Sequence, residues 1–200
     1  NLIDGLNGLS IGVSIAISLG LAFIAASFDD YVILSILSLI IGGLGGLLLF
    51  NFPFGKVFMG DAGAYSMGHV LPWIGILLLN RHPEIAPFSI LLLFFWPIAD
   101  MLFPMIRRYR SGKPVDQPDR LHFHQLAMRT LEMTFMSRKL RSITNPLATI
   151  IILPFAIAPI ILATFVARRD LWAVAAFVVA GILFVASYKT AVYIARRYSR

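Results

Sequence analysis

The chain opens on Asn1-Leu2-Ile3-Asp4-Gly5-Leu6-Asn7-Gly8-Leu9. If this segment is helical, its Asp and two Asn, spaced by three, share one face. A carboxylate and two amides there can read a nucleobase or sugar, and the glycines allow a close backbone approach. The plainer reading is a polar helix start just outside a membrane. A second set runs Asn51-Phe52-Pro53, then Lys56-Val57-Phe58-Met59-Gly60-Asp61-Ala62-Gly63. Gly-Asp-x-Gly leaves the Asp61 carboxylate on a flexible turn directly before an apolar stretch. A carboxylate at a lipid boundary needs a partner. Mg²⁺ suits it, because that ion favours one or two carboxylates completed by waters and substrate phosphates. The competing reading is an Asp that N-caps the next helix. A third set lies in a basic loop, Pro118-Asp119-Arg120-Leu121-His122-Phe123-His124. His-x-His can chelate a transition metal, but no Cys and few carboxylates accompany it. Imidazoles flanked by Arg also hold phosphate oxygens. Solvated histidines in a cationic surface loop are the bland alternative.

Something must position these groups, and the composition says what. Of 200 residues, 58% are apolar and only 14% charged, with a mean hydropathy of +0.83. Soluble domains carry about 25% charged residues, so this chain is read as an integral membrane protein. Segments 8–28 and 31–50 hold no charged side chain, and each is long enough to cross about 30 Å of hydrocarbon as a helix. In 64–79 His69 is the one Asp, Glu, Lys, Arg or His, and in 86–106 Asp100 is, with Pro87, Pro97 and Pro104 expected to kink the latter. Segments 147–167 and 171–188 complete six spans. The expected fold is an all-α polytopic helix bundle, a single membrane domain over 1–200 with polar loops at 51–63 and 107–146. Gly42, Gly43, Gly45 and Gly46 are expected to let a neighbouring helix approach closely.

No cysteine is present, which excludes disulfides and thiolate metal sites. The net charge of +7 resolves by loop. With six spans, 14 Lys and Arg fall on one side of the membrane, including nine between Arg107 and Arg141, against Arg81, Arg168 and Arg169 on the other. The positive-inside rule makes the richer side cytoplasmic. All three polar sets lie on that side. Their meeting suits an anionic, phosphorylated substrate handled at a membrane surface, and gives no reason to expect nucleic acid.

The motifs resemble those of the polyprenyl-phosphate N-acetylhexosamine-1-phosphate transferases, the glycosyltransferase family 4 enzymes. Residues 1–9 resemble the family's nucleotide-site motif; Asn51-x-Pro53 with Val57–Gly63 resembles its metal-site motif. Pro97-Ile98-Ala99-Asp100 with Arg107-Arg108, then Pro118–His124, resembles its sugar-phosphate loop. Order and spacing agree over nearly the whole chain. The resemblance implies transfer of HexNAc-1-phosphate, GlcNAc-1-phosphate or a related sugar, from a UDP-N-acetylhexosamine to undecaprenyl phosphate, with release of UMP. It implies Mg²⁺, with Mn²⁺ as a substitute, and a multi-pass protein of the bacterial inner membrane acting early in envelope polysaccharide synthesis. Carried over by motif, Asp61 is the metal ligand, and Asp4, His122 and His124 join it as catalytic residues. Asn1, Leu6 and Asn7 lie by the uridine, Phe58 stacks on uracil, Asn51 sits near the diphosphate, and Arg120 holds phosphate or sugar. A homodimer is compatible with this reading.

Two departures qualify it. The family's Asp-Asp motif of an earlier cytoplasmic loop has no counterpart, since Asp29-Asp30 falls on the outer side. The sequence is therefore expected to be a C-terminal portion, inactive alone. Asn7 also stands where several members have Asp. His-Phe-His looks closer to the GlcNAc-type branch than to phospho-MurNAc-pentapeptide translocases, where three consecutive His are usual. That translocase activity is the first alternative. A transporter using Asp100 and His69 as an intramembrane relay is the second, although Asp100 stands only seven residues before Arg107, about 10 Å along a helix.

Overall fold

Backbone groups in hydrocarbon must bond within their own segment, and the long apolar stretches are all helical. The structure is a computed structural model. It describes residues 5–110, 112, 123–134 and 140–198, with backbone alone at 133, 134 and 193–198. Eight helices are present among the described residues: α1 Leu9–Ser27, α2 Tyr31–Asn51, α3 Gly60–Arg81, α4 Pro87–Leu93, α5 Phe95–Arg110, α6 Phe123–Thr134, α7 Arg141–Phe165 and α8 Asp170–Tyr198. Five are long and apolar enough to cross a membrane, and the pair α4/α5 makes a sixth if counted as one broken span.

α1 has no charged side chain and is buried along most of its length, as Leu9, Val13, Ile17, Leu21 and Ile24 show. It packs against α2, α3, α4 and α7, while α6 lies between α7 and α8. The segment 86–106 is more than kinked: α4 and α5 meet at 76°. The break at Phe94 has a covalent cause. Pro97 has no N–H to give to the Leu93 carbonyl, and its ring crowds that carbonyl. Pro104, by contrast, is accommodated inside α5. The glycine cluster of α2 behaves otherwise than expected. Nothing lies within 4 Å of a Cβ built at Gly42, Gly43, Gly45 or Gly46, because α2 meets α1 through Ile33 and Leu37 in its first half.

A charged clamp fastens the end opposite the polar motifs. Asp30, 1% exposed, caps α2 by accepting the Ile33 N–H and pairs with Arg81 Nε at 2.6 Å and His82 Nε2 at 3.1 Å. Nearby, Arg168 donates to the Ser27 carbonyl at 2.7 Å and stacks over Phe28. Burial pushes the Asp30 carboxyl up, but the Ile33 N–H, His82 and Arg81 together outweigh it and hold it below its ordinary 3.8. A carboxyl depressed on folding stabilises the folded state above its unfolded value and loses that contribution as pH falls through the folded one. The melting temperature in detergent is therefore expected to drop below about pH 4, the unfolded Asp range. Asp30→Asn keeps a capping side chain but loses the ion pairs. It should cost about 1–3 kcal/mol at neutral pH and flatten the acid decline. An unchanged acid limb in the variant would show that the clamp is not its source.

Candidate active site

The segment before α1 is a turn and not a helix, so the shared helical face expected for 1–9 does not form over residues 5–8. Gly8 enforces this. It caps α1 at φ +79°, and a Cβ there would come within 2.7 Å of the Phe52 ring, so only glycine fits. The turn is instead stitched to its neighbours through its own backbone. Gly8 N–H donates to Asn51 Oδ1 at 2.5 Å, and Asn51 Nδ2 donates to the Val57 carbonyl at 2.7 Å. Asn7 Nδ2 donates to the Pro53 carbonyl at 2.8 Å. One buried amide thus joins the first motif to the second.

α7 supplies the other half of this hold. Asn7 N–H donates to Asn145 Oδ1 at 2.7 Å, and Thr149 Oγ1 donates to the Asn7 carbonyl at the same distance. The sequence pattern points to neither residue: Asn145 falls in the stretch 107–146 expected to be loop, whereas α7 begins at Arg141, and Thr149 falls inside the expected apolar span 147–167. The available signal was a polar pair four residues apart, which shares one face of a helix.

The second motif presents different chemistry. Phe58 is 61% exposed and lies against Gly55 together with the Asn7 amide. Asp61 is exposed, but on a helix and not a flexible turn. Gly60, at φ +65°, makes the bend that starts α3, and Met59 takes the cap position, so Asp61 falls in the first turn. Unpaired N–H groups and the helix dipole favour a carboxylate there. Leu6 is buried in the core, so its side chain packs the fold and only its backbone is available to a ligand.

The third motif reaches the first through α6. His124 is buried, with Nδ1 3.2 Å from Asp100 Oδ2, and a Cβ at Gly5 would come within 2.9 Å of its Nε2. Phe123, one residue earlier, is wedged edge-on against Trp96 at 5.0 Å between ring centres and tilted against Phe184 at 5.7 Å. These contacts fix where α6 begins. Asn1, Asp4, Arg120 and His122 lie outside the described residues. His69 stands exposed on α3 beside Trp73, while Asp100 is turned to α6.

An apolar groove of about 770 Å³ runs between α1, α3 and the bent α4/α5, lined by Ser10, Val13, Met59, Leu71, Phe94 and Met101 among others. Ala64 and Tyr65 line it as well, and with Met59 they flank Asp61 in sequence. No group of three or more His, Asp or Glu able to hold a metal exists among the described residues. A cation held here by the described residues would have to draw most of its ligands from water and substrate oxygens, which is the coordination Mg²⁺ accepts.

Helices, motifs and groove define a polytopic α-helical membrane protein with a polar site at one end of its bundle. The model of glycosyl transferase family 4 matches residues 1–79 of the chain. The chain is 35% identical over 131 residues to a probable undecaprenyl-phosphate N-acetylglucosaminyl 1-phosphate transferase of Bacillus subtilis, covering 64% of this chain and 36% of the relative. It is 35% identical over 127 residues to a phospho-N-acetylmuramoyl-pentapeptide-transferase of Lactobacillus acidophilus, 62% of this chain and 38% of the relative. Over 82 residues it is 45% identical to the undecaprenyl-phosphate alpha-N-acetylglucosaminyl 1-phosphate transferase of Pasteurella multocida, 38% of this chain and 23% of the relative. The chain thus spans well under half the length of these curated relatives. No solved structure matches it.

Proposed function

We propose that this chain carries the sugar-nucleotide half of an enzyme that transfers an N-acetylhexosamine-1-phosphate from a UDP-sugar to undecaprenyl phosphate, releasing UMP. The observation that carries this reading is the meeting of the three motifs: Asn51 ties residues 7–8 to the 51–58 turn, and His124 rests on Gly5. In this reading the uracil stacks on the exposed Phe58 ring. The turn at 5–8 receives the uridine through backbone groups, with Asn1 and Asp4 beside it and Asn51 near the diphosphate. His124, His122 and Arg120 hold phosphate and sugar oxygens by charge and hydrogen bonds. Asp61 would hold Mg²⁺, which supplies neutralisation of the diphosphate as the phosphoryl group moves. The apolar groove beside α3 accepts the prenyl chain, and the site faces the cytoplasm, the side richer in Lys and Arg.

The relatives' names favour a GlcNAc-type donor and keep UDP-MurNAc-pentapeptide as the second reading. The test is UMP release by the natural full-length protein with undecaprenyl phosphate and a panel of UDP-sugars. Turnover with UDP-GlcNAc or a related HexNAc supports the first reading, and turnover only with the pentapeptide donor supports the second. Uptake of a solute without UMP release would overturn both. Zinc-selective chelation is expected to leave turnover within about twofold, whereas removing Mg²⁺ stops it, because the sequence has no Cys and sets few carboxylates beside the histidines to complete a zinc site. Stoichiometric zinc that leaves on His124→Ala would contradict this.

A further inference from the structure

Asp100 lies in the third motif but is given no task in the transfer reading, yet it is among the most buried charged groups of the described residues, at 1% exposure beside His124 at 2%. A charge so placed is costly unless bonded on several sides. Its two oxygens divide the work. Oδ1 accepts the Phe123 backbone N–H at 2.8 Å, and Oδ2 lies 3.2 Å from His124 Nδ1. An ionised carboxylate only accepts, so the ring nitrogen facing it carries a proton. That leaves Nε2 as the nitrogen that meets Gly5, at the turn where the first two motifs are stitched together. The carboxylate bonds both the ring and the backbone one residue earlier, and the packing of the Phe123 ring against Trp96 and Phe184 fixes the backbone from which the imidazole projects.

We propose that Asp100 is the positioning residue of His124, fixing its tautomer and aiming Nε2 at the phosphate oxygens of a nucleoside diphosphate sugar seated by residues 5–8. The target of Nε2 rests on the transferase reading; the tautomer does not. A buried carboxylate on one imidazole nitrogen holds the ring's orientation and decides which nitrogen faces the substrate, and where such a ring ligates a metal, losing the partner costs about 10- to 100-fold, the scale taken here for a ring that binds phosphate. Asp100 touches no substrate in this arrangement and acts through the ring it orients.

The experiment has two readouts on the full-length protein in detergent. In the first, ¹⁵N-histidine spectra are recorded with His124 assigned by its loss in His124→Gln. The proposal expects protonated Nδ1 in the wild type and a redistributed or reversed tautomer in Asp100→Asn. In the second, UMP release is measured for Asp100→Asn, Asp100→Glu, His124→Gln and the Asp100→Asn/His124→Gln pair. Asp100→Asn is expected to lower kcat about 10- to 100-fold with little change in KM for the UDP-sugar, and Asp100→Glu to recover part of that loss. The double variant should be no slower than His124→Gln alone, since a residue that works through another adds nothing once the other is gone. Unprotonated Nδ1 in the wild type, or additive losses in the double variant, would overturn the proposal. If Asp100→Asn fails to fold, the wild-type spectrum still decides. A wild-type protein without UMP release would refute the transferase reading while leaving the tautomer result to stand by itself.

Discussion

Replacing Asp61 with Asn is expected to abolish UMP release, by 10³-fold or more on the order set by losing a charge-stabilising group, with little change in folding. The side chain is exposed, and no ion pair or side-chain hydrogen bond engages it among the described residues. Its only structural return is the helix-dipole interaction in the first turn of α3, worth about 0.3–1 kcal/mol. In the proposed function the use of that exposed charge is to bind Mg²⁺. Asn keeps the shape and one oxygen but not the charge that attracts Mg²⁺. Melting in detergent should therefore be nearly unchanged while turnover disappears. Near-normal turnover at ordinary Mg²⁺ would remove Asp61 from the metal site.

Which parts of this arrangement were legible from sequence follows from range. The apolar stretches identified the long helices because hydrocarbon leaves the backbone few other choices. The helix bounds moved where single residues act locally: Gly60 starts α3 four residues before the charge-free stretch, and Pro97 turns an expected kink into a 76° break. The three motifs were visible as residue types, but the bonds between them were not. Asn51 to Gly8 spans 43 positions, and Asn145 to Asn7 spans 138; no periodicity encodes such pairs. Asp100 shows the same limit. As a lone charge in an apolar stretch it admitted a proton relay or a boundary residue, and only its bonds to Phe123 and His124 assign it to the site end. The Asn7 substitution also gains a physical reading. Its amide donates to the Pro53 carbonyl, a bond that an ionised Asp at this position cannot make.

Asn51→Ala is expected to disable the site by taking apart its frame. The Asn51 side chain is the single group that satisfies both Gly8 N–H and the Val57 carbonyl, at 3% exposure. Removing it leaves two main-chain groups without their partner, at about 1–3 kcal/mol for each one left dry. The 51–58 turn would then be held to the first motif chiefly by Asn7 and Pro53. Phe58 and the start of α3 would lose their fixed distance from residues 5–8, and a displacement of about 1 Å at such a site can cost 10²-fold in rate. Asn51→Asp separates the two bonds. The carboxylate still accepts from Gly8 N–H but sets an oxygen against the Val57 carbonyl, so an intermediate loss of stability is expected. If Asn51 acts as this tie, melting temperature and turnover fall together across the two variants, and the order runs wild type, Asp, Ala for stability. If its main work is contact with the donor's diphosphate, KM for the UDP-sugar rises while melting stays where it was, and that result would overturn the tie.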